Sequence, residues 1–109
     1  MQRIRVVDAA RFGEGKMEKV PLFESPRFFC DLYCLRPGQA QNVHAHAGAD
    51  KVYYCISGQA MVQVGEETAE LMAGEAVLAP AGATHGVSNR TDEPLALLVF
   101  MAPRPDGKS

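Results

Sequence analysis

Short apolar runs, separated by glycine, proline and charged residues, follow one another along most of the chain. Some, such as 60–64 (Ala-Met-Val-Gln-Val), alternate apolar and polar positions with the period of two that is typical of a half-buried strand. No stretch of about a dozen residues shows the period of an amphipathic helix, and 66–72, the most helical segment in composition, fits a hairpin strand at least as well. Strands are predicted over 27–36, 41–45, 51–56, 60–64, 69–71, 76–79, 85–89 and 95–101.

This succession of short strands and turns predicts an all-β sandwich or barrel with no helix longer than about two turns. The 109 residues fit one domain, 1–109, and leave no room for two. The first part of the chain is less patterned, so an N-terminal arm is expected over 1–26, with an edge strand over 4–7 and a loop over 12–19. The tail, 103–109, is expected to be loosely held.

Charge and composition exclude several classes of partner. The net charge is −2, which favours neither nucleic acid nor an anionic membrane surface. The longest apolar stretches, such as 95–102, are too short to span a bilayer. Because the N-terminus has no apolar core of signal-peptide length, a cytoplasmic location is expected.

The chain has three cysteines, Cys30, Cys34 and Cys55, and this odd count favours free thiols in a reducing compartment. Cys30 and Cys34 lie four residues apart on one face of a predicted strand, which separates their Cα atoms by about 13 Å. That distance is too long for one metal ion to bridge, so both are interpreted as small buried hydrophobic residues.

Two segments that each begin with glycine carry all three histidines of the chain. His44 and His46 are two residues apart, and on a strand such residues face the same side. Farther along, the tripeptide Pro80-Ala81-Gly82 predicts a tight turn that delivers His85 to the start of a new strand. Neutral imidazoles that converge about 2.0–2.2 Å from a common point are ligands of divalent metals, and three of them leave open positions.

These segments resemble the two motifs of the cupin family. The second motif, G-x5-P-x-G-x2-H-x3-N, is matched at every fixed position by Gly74, Pro80, Gly82, His85 and Asn89. The first, G-x5-H-x-H-x3/4-E-x6-G, is matched at Gly38, His44, His46 and Gly58. The motifs span 38–58 and 74–89. The resemblance implies a double-sheet jelly-roll barrel, commonly a homodimer, with a central metal on His44, His46 and His85.

The chain departs from the family at position 51, where Lys51 stands in place of the glutamate ligand. Because an ammonium is repelled by a divalent ion, three arrangements remain open: three histidines with water, recruitment of Asp50 through a bulge, or no metal. Lys51 either extends to the barrel mouth or offers a positive charge, or an amine of lowered pKa, beside the site. Lys51, Tyr53 and Cys55 share one face, so Tyr53 is either core packing or a donor of a proton or hydrogen bond.

Three functions are compatible with these residues. The first is a metalloenzyme of the dioxygenase, isomerase or decarboxylase type, with Fe, Mn, Ni, Cu or Zn on the histidines and Lys51 and Tyr53 as candidate catalytic residues. Its substrate would be a small, oxygen-rich, anionic molecule, and the resemblance to cupins of secondary metabolism extends this to polyketide-like compounds. The second is a small-molecule binding or sensor module without turnover. The third is a metal-free structural barrel.

Association is predicted from the face opposite Lys51. Val52, Tyr54 and Ile56 alternate with Lys51, Tyr53 and Cys55, so they point out of the barrel and expose apolar surface. A homodimer that covers them is expected, with exchange of the N-terminal segment as one way to form it.

Overall fold

The computed structural model describes residues 1–105, so the last four residues of the predicted loose tail, 106–109, lie outside the described residues. A short 3-10 helix, Val6–Ala9, precedes the strands. The strands are β1 Glu18–Glu24, β2 Phe29–Leu35, β3 Ala40–His44, β4 Asp50–Ser57, β5 Gln59–Val64, β6 Glu67–Met72, β7 Ala76–Ala79, β8 His85–Ser88 and β9 Leu95–Ala102.

The strands form two antiparallel sheets that pack face to face. The larger sheet has the order β1-β2-β9-β4-β7, and the smaller has the order β3-β8-β5-β6. Inward-facing apolar side chains of both sheets fill the space between them, which is what a period of two produces when one face of each strand is buried. These core residues are Tyr33, Leu35, Tyr53, Cys55, Ala60, Val62, Leu71, Val87, Leu95, Leu97 and Val99. The prediction of a single all-β, two-sheet domain is confirmed.

The N-terminal part differs from its prediction in two places. The expected edge strand over 4–7 is instead a 3-10 helix, Val6–Ala9, because Val6 and Ala9 pack with Phe12 against the outer face of the larger sheet. The expected loop over 12–19 ends in β1, whose pattern is weak because it is an edge strand with Val20 as its one buried residue. Pro21 is tolerated there since an edge strand need not donate every N–H.

The outer face of the larger sheet is covered only in part. The N-terminal arm packs on Leu32 and Cys34, whereas Tyr54 (40% exposed), Leu78 (58%) and Phe100 (40%) remain open to solvent.

The cysteines are free thiols, as predicted, and Cys34 and Cys55 are fully buried while Cys30 is half-buried. Within residues 1–105, no helix has the length and apolar character that crossing a bilayer requires.

Candidate metal centre

The three histidines converge inside the barrel. His44 ends β3 and His85 begins β8, and the two residues face each other directly in the antiparallel ladder. Their ring centroids are 4.6 Å apart, and the ring of His46 lies 5.0 Å from His44 and 5.8 Å from His85. One nitrogen of each ring lies within 4.8 Å of the corresponding nitrogens of the other two. This spacing is short enough for one ion to contact all three.

The loops account for this convergence as much as the strands do. The spacing of two residues had predicted that His44 and His46 lie on the same strand. β3 instead ends at His44, so His46 lies in the loop beyond it. His46 is held instead by its carbonyl oxygen, which accepts a hydrogen bond from the Gly82 N–H at 2.9 Å. Gly82 has a φ of +86°, a conformation that favours glycine, and it belongs to the predicted turn, in which the Ala83 N–H donates to the Pro80 carbonyl.

Backbone carbonyls set the orientation of two of the rings. Nδ1 of His44 lies 2.8 Å from the Asn42 carbonyl oxygen, and Nδ1 of His85 lies 3.2 Å from that of Ala83. Because a carbonyl oxygen only accepts, each Nδ1 carries the proton and each Nε2 presents a lone pair. The Nε2 atoms of His44, His46 and His85 are buried and have no hydrogen-bond partner among the described residues. Three buried Nε2 atoms without hydrogen-bond partners, on rings that lie close together, fit a divalent metal ion.

The electrostatics favour the neutral imidazoles that a metal requires. Burial, and then the charge of Lys51, lower the pKa of His85 to about 4. The pKa of His46 is also below its usual value, first because of burial and then because of His44 and Lys51. Both shifts favour the neutral imidazole, whose lone pair is available to a metal.

Lys51 points into the barrel and does not extend to its mouth. The residue is 0% exposed, and its Nζ donates a hydrogen bond to Oε1 of Gln41 at 3.3 Å. The same nitrogen lies 5.1 Å from the ring centroid of Tyr33 and 5.2 Å from that of Tyr53. Burial and the charge of Lys19 lower the pKa of Lys51 to about 7, while Asp31 acts in the opposite direction.

Tyr53 is buried on the same face as Lys51 and belongs to a hydrogen-bonded chain that the sequence did not indicate. Its hydroxyl donates to Oε1 of Gln41 at 3.1 Å, and Nε2 of Gln41 lies 3.3 Å from the hydroxyl oxygen of Tyr33. Burial raises the pKa of both tyrosines well above the usual value. Gln41 reaches this position because the register of β3 shifts between Gln41 and His44. Asp31 and Tyr33 interrupt the apolar strand β2 at alternate positions, a pattern that indicates polar groups on one face but not their hydrogen-bond partners.

Asp50 and Asn89 have structural contacts away from the histidines. Asp50 is exposed, and its Oδ1 accepts a hydrogen bond from the Ala81 N–H at 2.8 Å, which fixes the turn before His85. Asn89 is buried, and its Nδ2 donates to the carbonyls of Leu35 and Glu93 at 3.0 and 2.7 Å. Among residues 1–105, no carboxylate joins the group formed by the three histidines.

An apolar cavity of about 610 Å³ flanks this site at the edges of β6 and β7. Val64 lines it and is paired with His85 across the smaller sheet. Val77 also lines it and is paired with Tyr53 across the larger sheet. The cavity therefore lies one strand away from His85 and from Tyr53.

Comparison with solved structures identifies the fold. The protein TT1209 of Thermus thermophilus superposes with a TM-score of 0.95 at 52% sequence identity, over 96% of this chain and 100% of that one. A conserved protein with a double-stranded β-helix domain from Klebsiella pneumoniae superposes with a TM-score of 0.87 at 25% identity, over 94% of this chain and 90% of that one.

Two Streptomyces proteins are similar in sequence. The chain is 36% identical over 72 residues to the protein SCO3923 of Streptomyces coelicolor, which covers 66% of this chain and 68% of that one. It is 37% identical over 76 residues to the tetracenomycin polyketide synthase protein TcmJ of Streptomyces glaucescens, over 66% of this chain. The match spans 50% of TcmJ, so about half of that protein has no counterpart in the alignment.

A family model for the cupin domain matches residues 31–101, a range that includes all three histidines and Lys51. This match covers well over half of the chain, and the two-sheet architecture agrees with it. The chain belongs to the cupin family.

Proposed function

We propose that the protein is a small metalloenzyme that uses a divalent ion on His44, His46 and His85 to act on an oxygen-rich, anionic small molecule. The observation that carries this proposal is the set of three buried Nε2 atoms with no hydrogen-bond partner among the described residues. Fe, Mn, Ni, Cu and Zn all accept imidazole ligands, and such an ion would act as a Lewis acid or an O2 site. The reaction would be of the dioxygenase, isomerase or decarboxylase type.

Two residues beside the histidines would act on the substrate. The ammonium of Lys51 would pair with a carboxylate or enolate, because a buried cation gains most from a charged partner. The hydroxyl of Tyr53 would donate a hydrogen bond to a substrate oxygen in place of its bond to Gln41. The flanking cavity lined by Val62, Val64 and Val77 would hold an apolar part of the molecule.

The similarity to TcmJ extends this proposal to a polyketide-like substrate. A 1,3-dicarbonyl unit has the required chemistry, since it is oxygen-rich and becomes anionic as its enolate. The apolar lining of the cavity suits the hydrocarbon part of such a molecule.

Titration of the Co²⁺-loaded protein with acetylacetone, followed by visible absorption, tests this function. The parent should bind the enolate, and Lys51→Glu should retain metal more tightly while binding the enolate at least about tenfold more weakly, because a carboxylate replaces the cation. Lys16→Glu changes an exposed lysine by the same charge and should bind within about twofold of the parent. Equal enolate affinity in the parent and Lys51→Glu would contradict the role of Lys51.

A binding module without turnover is the second candidate, favoured by a specific observation. Among the described residues no carboxylate joins the histidines, and burial raises the pKa of Tyr53, so neither a carboxylate nor the Tyr53 hydroxyl is suited to act as a general base, which leaves that role to Lys51 with its pKa of about 7. Oxygen uptake and product analysis with the Fe²⁺-loaded protein separate the two candidates. Enolate binding without turnover for a panel of 1,3-dicarbonyl compounds would support the module.

We also propose that the exposed part of the outer sheet face forms a homodimer interface. Val52 lies between Phe100 and Leu78 in the sheet register, and Phe28 packs on Phe100 with ring centroids 5.2 Å apart, which makes one continuous apolar surface. Such a surface is commonly covered by a partner, and a two-fold dimer is the simplest symmetric arrangement.

Light scattering at micromolar concentration is expected to report a dimer for the parent and a monomer for Phe100→Asp. Met72→Asp is the matched control, because Met72 is 48% exposed on the other sheet, and this variant should remain dimeric. A monomeric parent would contradict the proposed interface.

A further inference from the structure

The ladder between β3 and β8 contains one extra residue on the β3 side. Gln41 is paired with Val87, and His44 is paired with His85. Asn42 and Val43 therefore lie together opposite the single residue Gly86. Two residues that face one form a β-bulge, and this bulge lies directly beside the pair of His44 and His85.

The bulge decides which way the side chains of β3 point. In a regular strand, residues three apart face opposite sides, so Gln41 and His44 could not both face the interior. Gln41 nevertheless accepts hydrogen bonds from the buried Lys51 and Tyr53. Nε2 of His44 is also buried, and its ring lies 4.6 Å from that of His85. The extra residue therefore brings a candidate metal ligand and the partner of Lys51 to the same side.

The backbone of the bulge also orients the ring of His44. The carbonyl oxygen that lies 2.8 Å from Nδ1 of His44 belongs to Asn42, the first residue of the bulge. This contact holds the proton on Nδ1 and leaves the lone pair on Nε2. Because a working site holds its side chains to within about 0.5 Å, a displaced bulge would misplace the His44 ring.

Gly86 leaves the room that the bulge occupies. A Cβ atom on Gly86 would lie 3.0 Å from the Gln41 carbonyl oxygen, 3.0 Å from Cγ2 of Val43 and 3.1 Å from Cα of Val43. Two of these three atoms belong to the backbone, so they cannot turn aside as the end of a long side chain could. Gly86 does not have a positive φ, so the position requires space and not an unusual backbone conformation.

We propose that Gly86 is a positioning residue of the metal centre. By leaving room for Asn42 and Val43, it keeps Gln41 and His44 facing the interior and aims Nε2 of His44 at the position of the ion. This inference rests on the proposed function for the presence of the ion, whereas the orientation of the His44 ring can be measured without one.

Competition for Zn²⁺ between a chromophoric chelator and Gly86→Ala tests the proposal. The new Cβ should displace the bulge by a few tenths of an ångström and lower Zn²⁺ affinity by about tenfold or more, as the loss of a contact that supports a ligand does. Thermal unfolding reports whether the variant is folded.

Two other glycines provide matched controls. Gly48→Ala adds a Cβ in open space in the loop after His46, and its Zn²⁺ affinity should stay within about twofold of the parent. Gly13→Ala adds a Cβ 2.8 Å from the Lys16 carbonyl oxygen on the N-terminal arm. It introduces a conflict with the backbone outside the bulge and should also keep its Zn²⁺ affinity within about twofold.

A second measurement follows the ring of His44 in the metal-free protein. Long-range proton–nitrogen NMR spectra at about pH 8.5, where ordinary histidines are neutral, distinguish a proton on Nδ1 from one on Nε2. The parent should carry the His44 proton mainly on Nδ1. Gly86→Ala should shift it toward Nε2, because the Asn42 carbonyl moves away from the ring. A lower stability alone would not change this ratio.

The outcomes separate this inference from the proposed function. Zn²⁺ affinity of Gly86→Ala within about twofold of the parent, or a loss no greater than that of Gly13→Ala, would overturn the positioning role while leaving the metal site in place. If the parent itself does not retain Zn²⁺, the proposed function is wrong. The NMR comparison then decides the role of Gly86, and an unchanged His44 ring would overturn it.

A second variant covers the case in which Gly86→Ala does not fold. Val43→Ala removes Cγ2, one of the three atoms that the new Cβ meets. The comparison is then between Val43→Ala alone and Val43→Ala combined with Gly86→Ala, in which the two backbone contacts remain. Equal Zn²⁺ affinity of these two proteins would overturn the proposal. Failure of both Gly86 variants to fold would also overturn it, because Gly86 would then serve the fold and not the site.

Discussion

Replacing His85 with alanine is expected to lower the affinity of the protein for Zn²⁺ or Co²⁺ by at least about a hundredfold, to the point where no metal survives gel filtration. The reason is that His85 supplies one of only three ligand atoms that the described residues bring together. Loss of a hydrogen bond that supports a metal-ligating side chain already lowers metal affinity by about 10–100-fold, and loss of the metal-ligating side chain itself lowers it further. Competition with a chromophoric chelator measures the affinity.

Asp50→Ala is the matched control for this experiment. The carboxylate of Asp50 accepts a hydrogen bond from the Ala81 N–H and does not join the histidines, so its removal should change metal affinity by less than about tenfold. Retention of metal by His85→Ala together with its loss from Asp50→Ala would show that the acid ligand is Asp50 and that the three-histidine site is wrong.

Replacing Lys51 with methionine is expected to stabilise the metal-free fold at neutral pH by about 3 kcal/mol, after allowance for the lost contacts to Gln41 and the tyrosines. Burial lowers the pKa of Lys51 from 10.5 to about 7. Between pH 7 and pH 10.5 the unfolded chain therefore binds one more proton than the folded chain does. The free energy of unfolding of the parent therefore rises as the pH increases from about 7 toward 10.5, and this contribution is absent from the variant.

Urea unfolding of both proteins between pH 6 and 10 measures this difference. The advantage of Lys51→Met should be largest at or below pH 7 and should fall below about 1 kcal/mol at pH 10. Lys16→Met, which removes an exposed lysine, should show no comparable gain. An advantage that does not change with pH would indicate that Asp31 fully compensates the buried charge.

The sequence predicted best those strands that bury one face and leave the other exposed. Strands β4 and β5 alternate in burial, so the inward positions of Lys51, Tyr53 and Cys55 followed from counting residues. The edge strand β1 has one buried residue, and its pattern is too weak to separate it from a loop. Lys19 was therefore placed in that loop, and its approach to Tyr33 was missed.

The convergence of the three histidines was predicted, but the surroundings of the candidate site were not. His85 was located correctly because the turn at Gly82 is encoded locally by proline and glycine. His46 and Gln41 depend on a loop contact and on a register shift in β3, and such shifts have no clear signature in a single sequence. The pairing of Gln41 with Lys51, Tyr33 and Tyr53 needs three strands at once, so only the folded barrel reveals it.

Anomalous diffraction from crystals of the Zn²⁺-loaded protein, recorded on both sides of the zinc absorption edge, tests the central claim most directly. The account predicts one anomalous peak per chain, about 2.0–2.2 Å from Nε2 of His44, His46 and His85, with no carboxylate of Asp50 in contact. A peak elsewhere in the chain, or no peak between the three histidines in crystals that hold zinc in their solvent, would contradict it.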